Sequence, residues 1–358
     1  TTGEFSLLEL PRRIGPAALP PVEVVDMRHE PRGGLRSPFS HPLRQGLSRV
    51  LDAGDKAILF LNRRGTFPWV RCRACGRVVE CRRCAVSLSF HREGNLVCHQ
   101  CGLRRPFPLR CPACGKAALD RLGLGTERLE AEFTALFPGV EVVRWDRDAV
   151  RGRDGHRAIL ERFAQPGPRV LIGTQMVAKG LDLPRVTLVG VVLADTGMHF
   201  PDFRSGERTF QLLCQVSGRA GRGEAPGHVI VQTYHPEHYA IQAAAAHDYA
   251  AFYETEMAYR RQHSYPPFSR LVRLVHAHPS AARSQEAAEA MKERLVAARD
   301  SAGLTGVEVI GPTPCFVSRL RGRFRWQLLL RGAHPTALLE HITLPQNWVV
   351  DVDPVQLL

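Results

Sequence analysis

The 358-residue sequence predicts an α/β body, broken by a cysteine-rich insertion and followed by a smaller α+β domain. Three observations carry this. The apolar runs Val170–Ile172 and Val186–Leu193 flank a short helical stretch, as parallel strands covered on both faces require. Eight of the ten cysteines form four C-x-x-C pairs in one window. The end of the chain reads strand, helix, strand, strand, helix, strand, the split βαβ order of a ferredoxin-like domain.

The length allows two or three domains with cores of their own. Contents of 44% apolar and 23% charged residues are those of a globular protein. No apolar run approaches the roughly 20 residues of a membrane helix, and no secretion signal opens the chain. The first residue is Thr1, and TTGEFSLLELPRR reads as mid-chain sequence, so a natural N-terminal part is expected ahead of it. Net charge is +13 and stays positive even with eight thiolates set against two dications. That favours polyanions, nucleic acid first. Lysine occurs only at 56, 116, 179 and 292, so the charge is almost all arginine, which grips phosphate bidentately and stacks on bases. GC-rich coding produces the same bias.

Taken in order, KAILFLNRRG (Lys56 to Gly65) is a buried strand running into a basic turn. The cysteine window follows. Paired cysteines without a secretion signal indicate a metal in a reducing cytoplasm rather than disulfides, with zinc favoured and an iron–sulfur cluster the alternative. Thirteen residues separate Cys84 from Cys98, which suits a small zinc ribbon. This nests Cys81, Cys84, Cys98 and Cys101 on one ion inside Cys72, Cys75, Cys111 and Cys114 on another. Val86, Leu88 and Phe90 on one side and Leu96 and Val97 on the other suit a ribbon hairpin, with HREGN as its turn. The module is rich in arginine, which fits nucleic-acid or protein docking as well as a structural knob.

RVLIGTQMVAKGLDLPRVTLVGVVLAD (Arg169 to Asp195) then reads as strand, turn, short helix, loop and strand, a βαβ unit. Such sheets bind ligands at the carboxyl ends of their strands. Gly173, Thr174 and Gln175 sit at one such end and Asp195 at the next. A plain helix N-cap explains the Gly-Thr turn equally well. In GERTFQLLCQVSGRAGRG (Gly206 to Gly223), Gln215, Arg219 and Arg222 recur at helical spacing and share a face. Gly218 and Gly221 each cost about 1 kcal/mol of helix propensity, which points to close approach of a phosphate; a solvated basic helix end is the alternative. Beyond this, Ala240–Gln262 reads as helix, ended by SYPPF because Pro-Pro cannot continue it. The closing pattern is strand Leu271–Ala277, helix Ala281–Ala298, strands Val307–Ile310 and Phe324–Leu330, helix Pro335–His341 and strand Trp348–Val352. Arg319, Arg321, Arg323 and Arg325 alternate with Leu320, Gly322 and Phe324, and strand alternation puts the four arginines on one face, attractive to a phosphate backbone.

Q-x-x-G-R-x-G-R (Gln215 to Arg222) resembles motif VI of superfamily 2 helicases, and GTQMVAKGLD resembles their motif V. The order LNRRG, four cysteine pairs, GTERLEAEF, WDRD, GTQM-x-x-KG, PDFRSGERTFQLL, QVSGRAGR, GPTP, RGRFRWQLLLRG and WVVDVDP is similar to the bacterial replication-restart helicases, the primosomal protein N-prime (PriA) family. The resemblance covers nearly the whole chain. It implies a RecA-like second helicase lobe at 31–70 and 117–235, preceded by a linker (1–30) from a first lobe and interrupted at 71–116 by a double zinc-ribbon module. A helical connector (236–265) and a C-terminal DNA-binding domain of α+β ferredoxin-like type (266–358) would follow. By the same resemblance Arg219 and Arg222 would contact nucleotide with Gln215 positioning them, and Thr174, Gln175 and Lys179 would lie near DNA or the lobe interface.

The family's motor is ATP-driven and moves 3′ to 5′. No G-x-x-x-x-G-K-[ST] and no D-E-x-H stands in this chain, so ATP and Mg²⁺ would be used only together with the first lobe. Expected cofactors are otherwise two zinc ions. Implied partners are forked and single-stranded DNA, single-strand-binding protein and other primosome proteins, with no membrane, a monomeric state and a cytoplasmic, nucleoid-associated location. A non-enzymatic primosome scaffold that binds forks, and a zinc-ribbon nucleotide enzyme unrelated to DNA, are the rival readings.

Overall fold

The computed structural model describes residues 19–30, 37–62, 69–72, 74–82, 87–90, 94–98, 102–122, 125–146, 149–150, 155–178, 183, 185–198, 200–221 and 226–357. The first elements are β1 (Val22–Asp26), α1 (His41–Asp52), β2 (Lys56–Phe60), β3 (Trp69–Cys72), β4 (Ser89–Phe90), β5 (Asn95–Val97), β6 (Arg104–Pro106) and β7 (Leu119–Leu122). Then come α2 (Thr126–Leu136), β8 (Glu141–Trp145), α3 (Gly155–Ala164), β9 (Arg169–Gly173), α4 (Gln175–Ala178), β10 (Val186–Val191), α5 (Asp195–Met198), α6 (Ser205–Ser217) and β11 (His228–Thr233). The last are α7 (Tyr239–Ala245), α8 (Tyr249–Gln262), β12 (Arg270–His278), α9 (Ala281–Ser301), β13 (Glu308–Leu320), β14 (Arg323–Gly332), a 3-10 helix at Pro335–His341 and β15 (Trp348–Val352). The chain divides into two compact units: Thr1–Arg63, Leu124–Ala194 and Phe210–His247 in one, and Arg64–Gly123, Asp195–Thr209 and Asp248–Leu358 in the other.

The first unit holds a parallel sheet in the order β1-β11-β10-β2-β9-β8. Every residue of β2 and β10 is buried, which is why both read as unbroken apolar runs. α1 begins at Ser40, whose Oγ accepts from the Leu43 amide, and buries Leu43, Leu47 and Leu51. Gly190, in the middle of β10, makes room for that helix: a Cβ there would lie 2.7 Å from Leu43 Cδ1. Buried Gln232 ties the layers together, donating to Val192 O and Pro38 O while accepting from the Ser40 amide. Lys56 opens β2 with its ammonium donating to Ala164 O, and burial holds its pKa below the ordinary value. Strand order reverses around β2, so the carboxyl ends of β2, β9 and β10 border the crevice where such sheets hold ligands.

Two helical expectations change. The stretch 240–262 is two helices, α7 and α8, because His247 takes a positive φ of 54° and Asp248 then caps α8 by accepting from the Ala251 amide. α6 ends at Ser217, short of Arg219.

The second unit holds two antiparallel sheets. Five short strands in the order β6-β5-β4-β3-β7 form the cysteine-rich module. The expected ribbon hairpin is β4 paired with β5, Phe90 facing Leu96 and Ser89 facing Val97; Val86 lies outside the described residues. The other sheet has the order β13-β14-β12-β15 with every neighbour antiparallel, which is the ferredoxin-like order. On one face Val272, Leu274, Trp326, Leu328 and Leu330 pack against Ala288, Met291 and Leu295 of α9. On the other, Leu271 and Leu329 meet Phe203, Tyr265 and Leu357. The arginine run is not one strand. Arg321 and Gly322 adopt positive φ (48° and 79°) as a two-residue turn, and Leu320 pairs with Arg323 across it. Arg319 pairs with Phe324 and therefore faces away from Arg323 and Arg325, so the four arginines do not share a face. No described helix is long and apolar enough to cross a membrane.

Candidate functional site

A C-x-x-C turn brings two sulfurs to one point if the residue after the second cysteine can take a positive φ. Among the described residues, three pairs show this. Gly76, Gly102 and Gly115 have φ of 77°, 77° and 72°. In each turn the glycine amide donates to the carbonyl of the first cysteine at 2.9 Å: Gly76 to Cys72, Gly102 to Cys98 and Gly115 to Cys111. The amides of Cys72, Cys98 and Cys111 reach forward to Arg77 O, Leu103 O and Lys116 O. Ala74 and Ala113 amides also point at the sulfurs of Cys72 and Cys111, 3.4 Å away.

Two of these turns face each other. The sulfurs of Cys72, Cys75, Cys111 and Cys114 all lie within 4.8 Å of one another. Cys72 Sγ to Cys114 Sγ is 3.6 Å and Cys75 Sγ to Cys111 Sγ is 3.7 Å. A tetrahedron with metal–sulfur bonds of about 2.3 Å has edges of about 3.8 Å, so the donor set fits a closed four-sulfur centre with no open position. Burial, with three thiols alongside, pushes the Cys75 thiol up to about 12 in the absence of a cation. A dication reverses that balance by favouring thiolate. Of the other four cysteines, Cys81 and Cys98 are buried, while Cys84 and Cys101 lie outside the described residues.

The third turn is seated on the C-terminal sheet. Thr313 Oγ1 donates to Cys98 O at 3.1 Å, and a Cβ on Gly102 would come 2.7 Å from Pro312 O. Arg104 lies over the Trp326 ring at 5.7 Å. The cysteine module and the ferredoxin-like domain therefore pack as neighbours within one unit.

At the strand ends of the parallel sheet, Gln175 Nε2 donates to Asn62 Oδ1 at 3.1 Å and joins the ends of β9 and β2. Thr174 is half-buried beside them, and Lys179 lies outside the described residues. Buried Asp146 accepts from Thr126 Oγ1, Arg144 Nε and the Ala149 amide, which fixes the start of α2 at the end of β8. Asn62, Thr126 and Asp146 were not singled out from sequence, although each stands in a quoted segment (LNRRG, GTERLEAEF, WDRD) where a polar residue follows an apolar run or opens a helix.

The glycine-rich end of α6 departs from the expected shared face. Gln215 is exposed on the helix, Arg219 is buried in the turn after it, and Arg222 lies outside the described residues. Gly221 has a packing cause. The Gly221 amide donates to Val186 O, and a Cβ on Gly221 would lie 2.6 Å from the Gly227 amide nitrogen. Two backbone segments thus pass at a distance only glycine allows.

PDFRSGERTFQLL proves to be a clasp. Asp202 accepts from Arg208 and from the Leu357 amide, and Arg208 also donates to Val355 O. Glu207 and Glu256 both accept from Arg260, which lies over the Phe203 ring. Burial alone would lower the Arg260 guanidinium, and the two carboxylates more than offset it. The dense alternation of acids and arginines in that segment is the signal that could have marked it. In the C-terminal domain, Arg319 lies over the Phe324 ring at 5.1 Å, Arg323 donates to Ala277 O, and Arg319, Arg321 and Arg323 are exposed.

Three family profiles match the chain: the primosomal protein N C-terminal domain over residues 261–355, the PriA DNA helicase Cys-rich region domain over 81–106, and the helicase conserved C-terminal domain over 127–224. Replication restart protein PriA of Bacillus subtilis is 44% identical over 94% of this chain and 41% of its own length. Those of Synechocystis and Treponema pallidum are 41% and 39% identical, over 98% and 99% of this chain and 43% and 54% of their own lengths. The chain spans about half the length of the curated relatives it matches. Among solved structures, the helicase domain of Pyrococcus furiosus Hef aligns at 20% identity over 54% of this chain and 25% of its own, with a TM-score of 0.24.

Proposed function

We propose that this chain, which belongs to the family of replication restart protein PriA, supplies the second motor lobe, a zinc-stapled module and the C-terminal DNA-binding domain of a 3′-to-5′ helicase that acts at stalled or branched forks. The observation that carries this reading is that the three matched regions occur together in one chain, over 94% or more of which the Bacillus, Synechocystis and Treponema proteins align.

In this reading Cys72, Cys75, Cys111 and Cys114 hold one zinc ion, and Cys81, Cys84, Cys98 and Cys101 hold a second. Bound zinc supplies structural closure and no chemistry, because four sulfurs leave no position for water. The turn glycines Gly76, Gly102 and Gly115 set the sulfur geometry. Arg219 and Arg222, with Gln215 as their positioning residue, stabilise charge on the γ-phosphate of an ATP held with Mg²⁺ by a first lobe. Thr174, Gln175 and Lys179 serve the DNA side or the lobe interface at the strand ends. Phosphate cradling belongs to the first lobe, so the chain alone is not expected to turn over ATP. Arg319, Arg321, Arg323 and Arg325 bind DNA phosphates from both sides of their hairpin, and single-strand-binding protein and other primosome proteins are the protein partners.

Binding of the 358-residue chain to a forked DNA, followed by fluorescence anisotropy from 50 to 200 mM salt, tests this. With three or four phosphate contacts the slope of log K against log salt should be about −3. A flat response, or no binding to the fork, removes the DNA reading.

A further inference from the structure

The hairpin tip carries more than phosphate-binding charge. Leu320 stands at the turn 50% exposed, with Val317 38% exposed before it. A single exposed leucine is ordinary on a protein surface. This one differs in its setting. Between Glu308 and Glu340 the sequence contains no acidic residue and five arginines, and Glu308 is itself paired with Arg331. The tip is therefore an apolar point set in uncompensated positive charge.

It is also stiff. The two-residue turn of Arg321 and Gly322 matches the strand twist and leaves little freedom. Arg319 is held over Phe324, and Arg323 is tied to Ala277 O on the neighbouring strand. Leu320 shares a face with Arg323, its partner across the turn. A guanidinium and an isobutyl group thus project side by side from the two pairs that close the turn, beyond a register break between Pro314 and Arg319. Guanidinium groups seek phosphate. An apolar side chain held between phosphate-bound arginines gains by covering the apolar face of a base that has no stacking neighbour. Within a continuous duplex both faces of every base pair are covered. At a fork the last pair of the duplex has one face open.

We propose that the tip of the β13–β14 hairpin is a junction reader, in which Leu320 packs on the exposed terminal base pair of a branched DNA while Arg321 and Arg323 hold the phosphates on either side. This rests on the reading of the hairpin as a DNA-binding surface and adds the feature of DNA that it distinguishes. Arginine contacts alone would treat fork, duplex and single strand by charge density. Leu320 adds an apolar interaction that only the fork, with its fixed open pair, returns.

The test uses the 358-residue chain with three DNAs of equal length: a fork whose duplex arm ends in a hairpin loop, a duplex closed by a hairpin loop at each end so that no base-pair face is open, and a single strand. The fork carries 2-aminopurine at the last paired position. Leu320→Ser should weaken fork binding about five- to tenfold, because the leucine no longer covers the base, and leave the other two unchanged. It should also abolish the change in 2-aminopurine fluorescence on binding, and Leu320→Met should restore both. Leu320 is half exposed, so these changes should not unfold the domain, and an unchanged melting temperature checks this. Arg321→Asn with Arg323→Gln should weaken all three DNAs together. Leu320→Ser binding forks like the parent, or weakening all three DNAs equally, overturns the junction reader while leaving the hairpin a DNA contact. Unchanged binding of the double arginine variant to every DNA overturns the underlying DNA reading instead.

Discussion

The sulfur cluster at Cys72, Cys75, Cys111 and Cys114 and the arginine hairpin at 319–325 lie in the same unit and pose opposite electrostatic problems. In the first, four groups that ionise to anions are drawn within 4.8 Å of one another, with Cys72 and Cys111 buried. In the second, four cations are spread along a ribbon that carries no acidic residue. As thiolates, the four sulfurs are balanced by a cation at their centre, at a fixed distance from each. The hairpin is balanced by anything anionic that lies along it, and water and salt serve in the meantime. The difference separates a closed site, suited to holding the fold, from an open one, suited to an anionic partner. The closed site should ignore ionic strength, and the open one should depend on it steeply.

The largest expected effect comes from the closed site. Apparent binding energies of structural zinc run at roughly 10 kcal/mol or more, and that energy is folding energy for the module that holds it. Cys111→Ser, or a strong chelator, should therefore empty the outer centre and unfold β3 and β7, seen as lost metal by mass spectrometry and a lower melting temperature. Raising salt to about 0.5 M, where exposed charges are strongly screened, should leave the metal content of the parent chain unchanged while DNA dissociates. Metal lost to salt alone would break the contrast between the two regions.

A middle-sized effect probes the seam where the cysteine module meets the C-terminal sheet. Gly102→Ala puts a Cβ 2.7 Å from Pro312 O at a residue with φ of 77°, and should cost about 1–3 kcal/mol. Thr313→Val removes the donor to Cys98 O and should cost about 1–2 kcal/mol. If closed and open sites share one body, both changes should speed metal release and loosen the hairpin, read as faster amide exchange in β13 and β14. An effect on metal release alone would make the module a passenger on the sheet.

Why one region was legible from sequence and the other only partly follows from the range of the forces involved. C-x-x-C with a following glycine is a local geometric instruction, so the nested pairing of Cys72 and Cys75 with Cys111 and Cys114 could be proposed from spacing, and the fold brings those four sulfurs together. The ferredoxin-like order was likewise legible, because β12 and β14 carry buried apolar runs, Ser280 caps α9 and Pro335 opens the 3-10 helix. The arginine run misled because alternation assumes a continuous strand. Arg321-Gly322 looks like any two residues of that strand until Leu320 and Arg323 are known to pair. At the end of α6 the 3.6-residue period was carried past Ser217 into Arg219 and Arg222, and the approach that stops it, Gly221 against Gly227, depends on a strand that returns from elsewhere. The clasp of Asp202 on Leu357 spans 155 residues; the alternation of acids and arginines marks its segment, but nothing local names the partner.

The smallest effect concerns what supports the hairpin, and it is set by protons. His276 is buried in β12 between two partners: Asn347 Nδ2 donates to its Nε2 at 2.8 Å, and its Nδ1 faces Ser284 Oγ at 3.2 Å. Ser284 Oγ in turn donates to the carbonyl of Phe324, the residue on whose ring Arg319 lies. This chain of bonds uses a neutral imidazole that carries its proton on Nδ1. Burial, with His278 stacked beside it, holds the His276 pKa below its ordinary 6.5, and the Ser284 contact opposes this only in part. A histidine depressed in the folded state contributes its full stability above the unfolded value and loses it as pH falls below about 6.5 toward the folded value. The sheet that carries the hairpin should therefore melt at lower temperature at pH 5.5 than at pH 7.5, on either side of the ordinary histidine value of about 6.5. His276→Gln should flatten that dependence while leaving metal content at each pH as in the parent chain. A pH profile that survives the substitution would move the acid sensitivity to the sulfur cluster, where thiolates compete for protons, and the two regions would then differ in salt response alone.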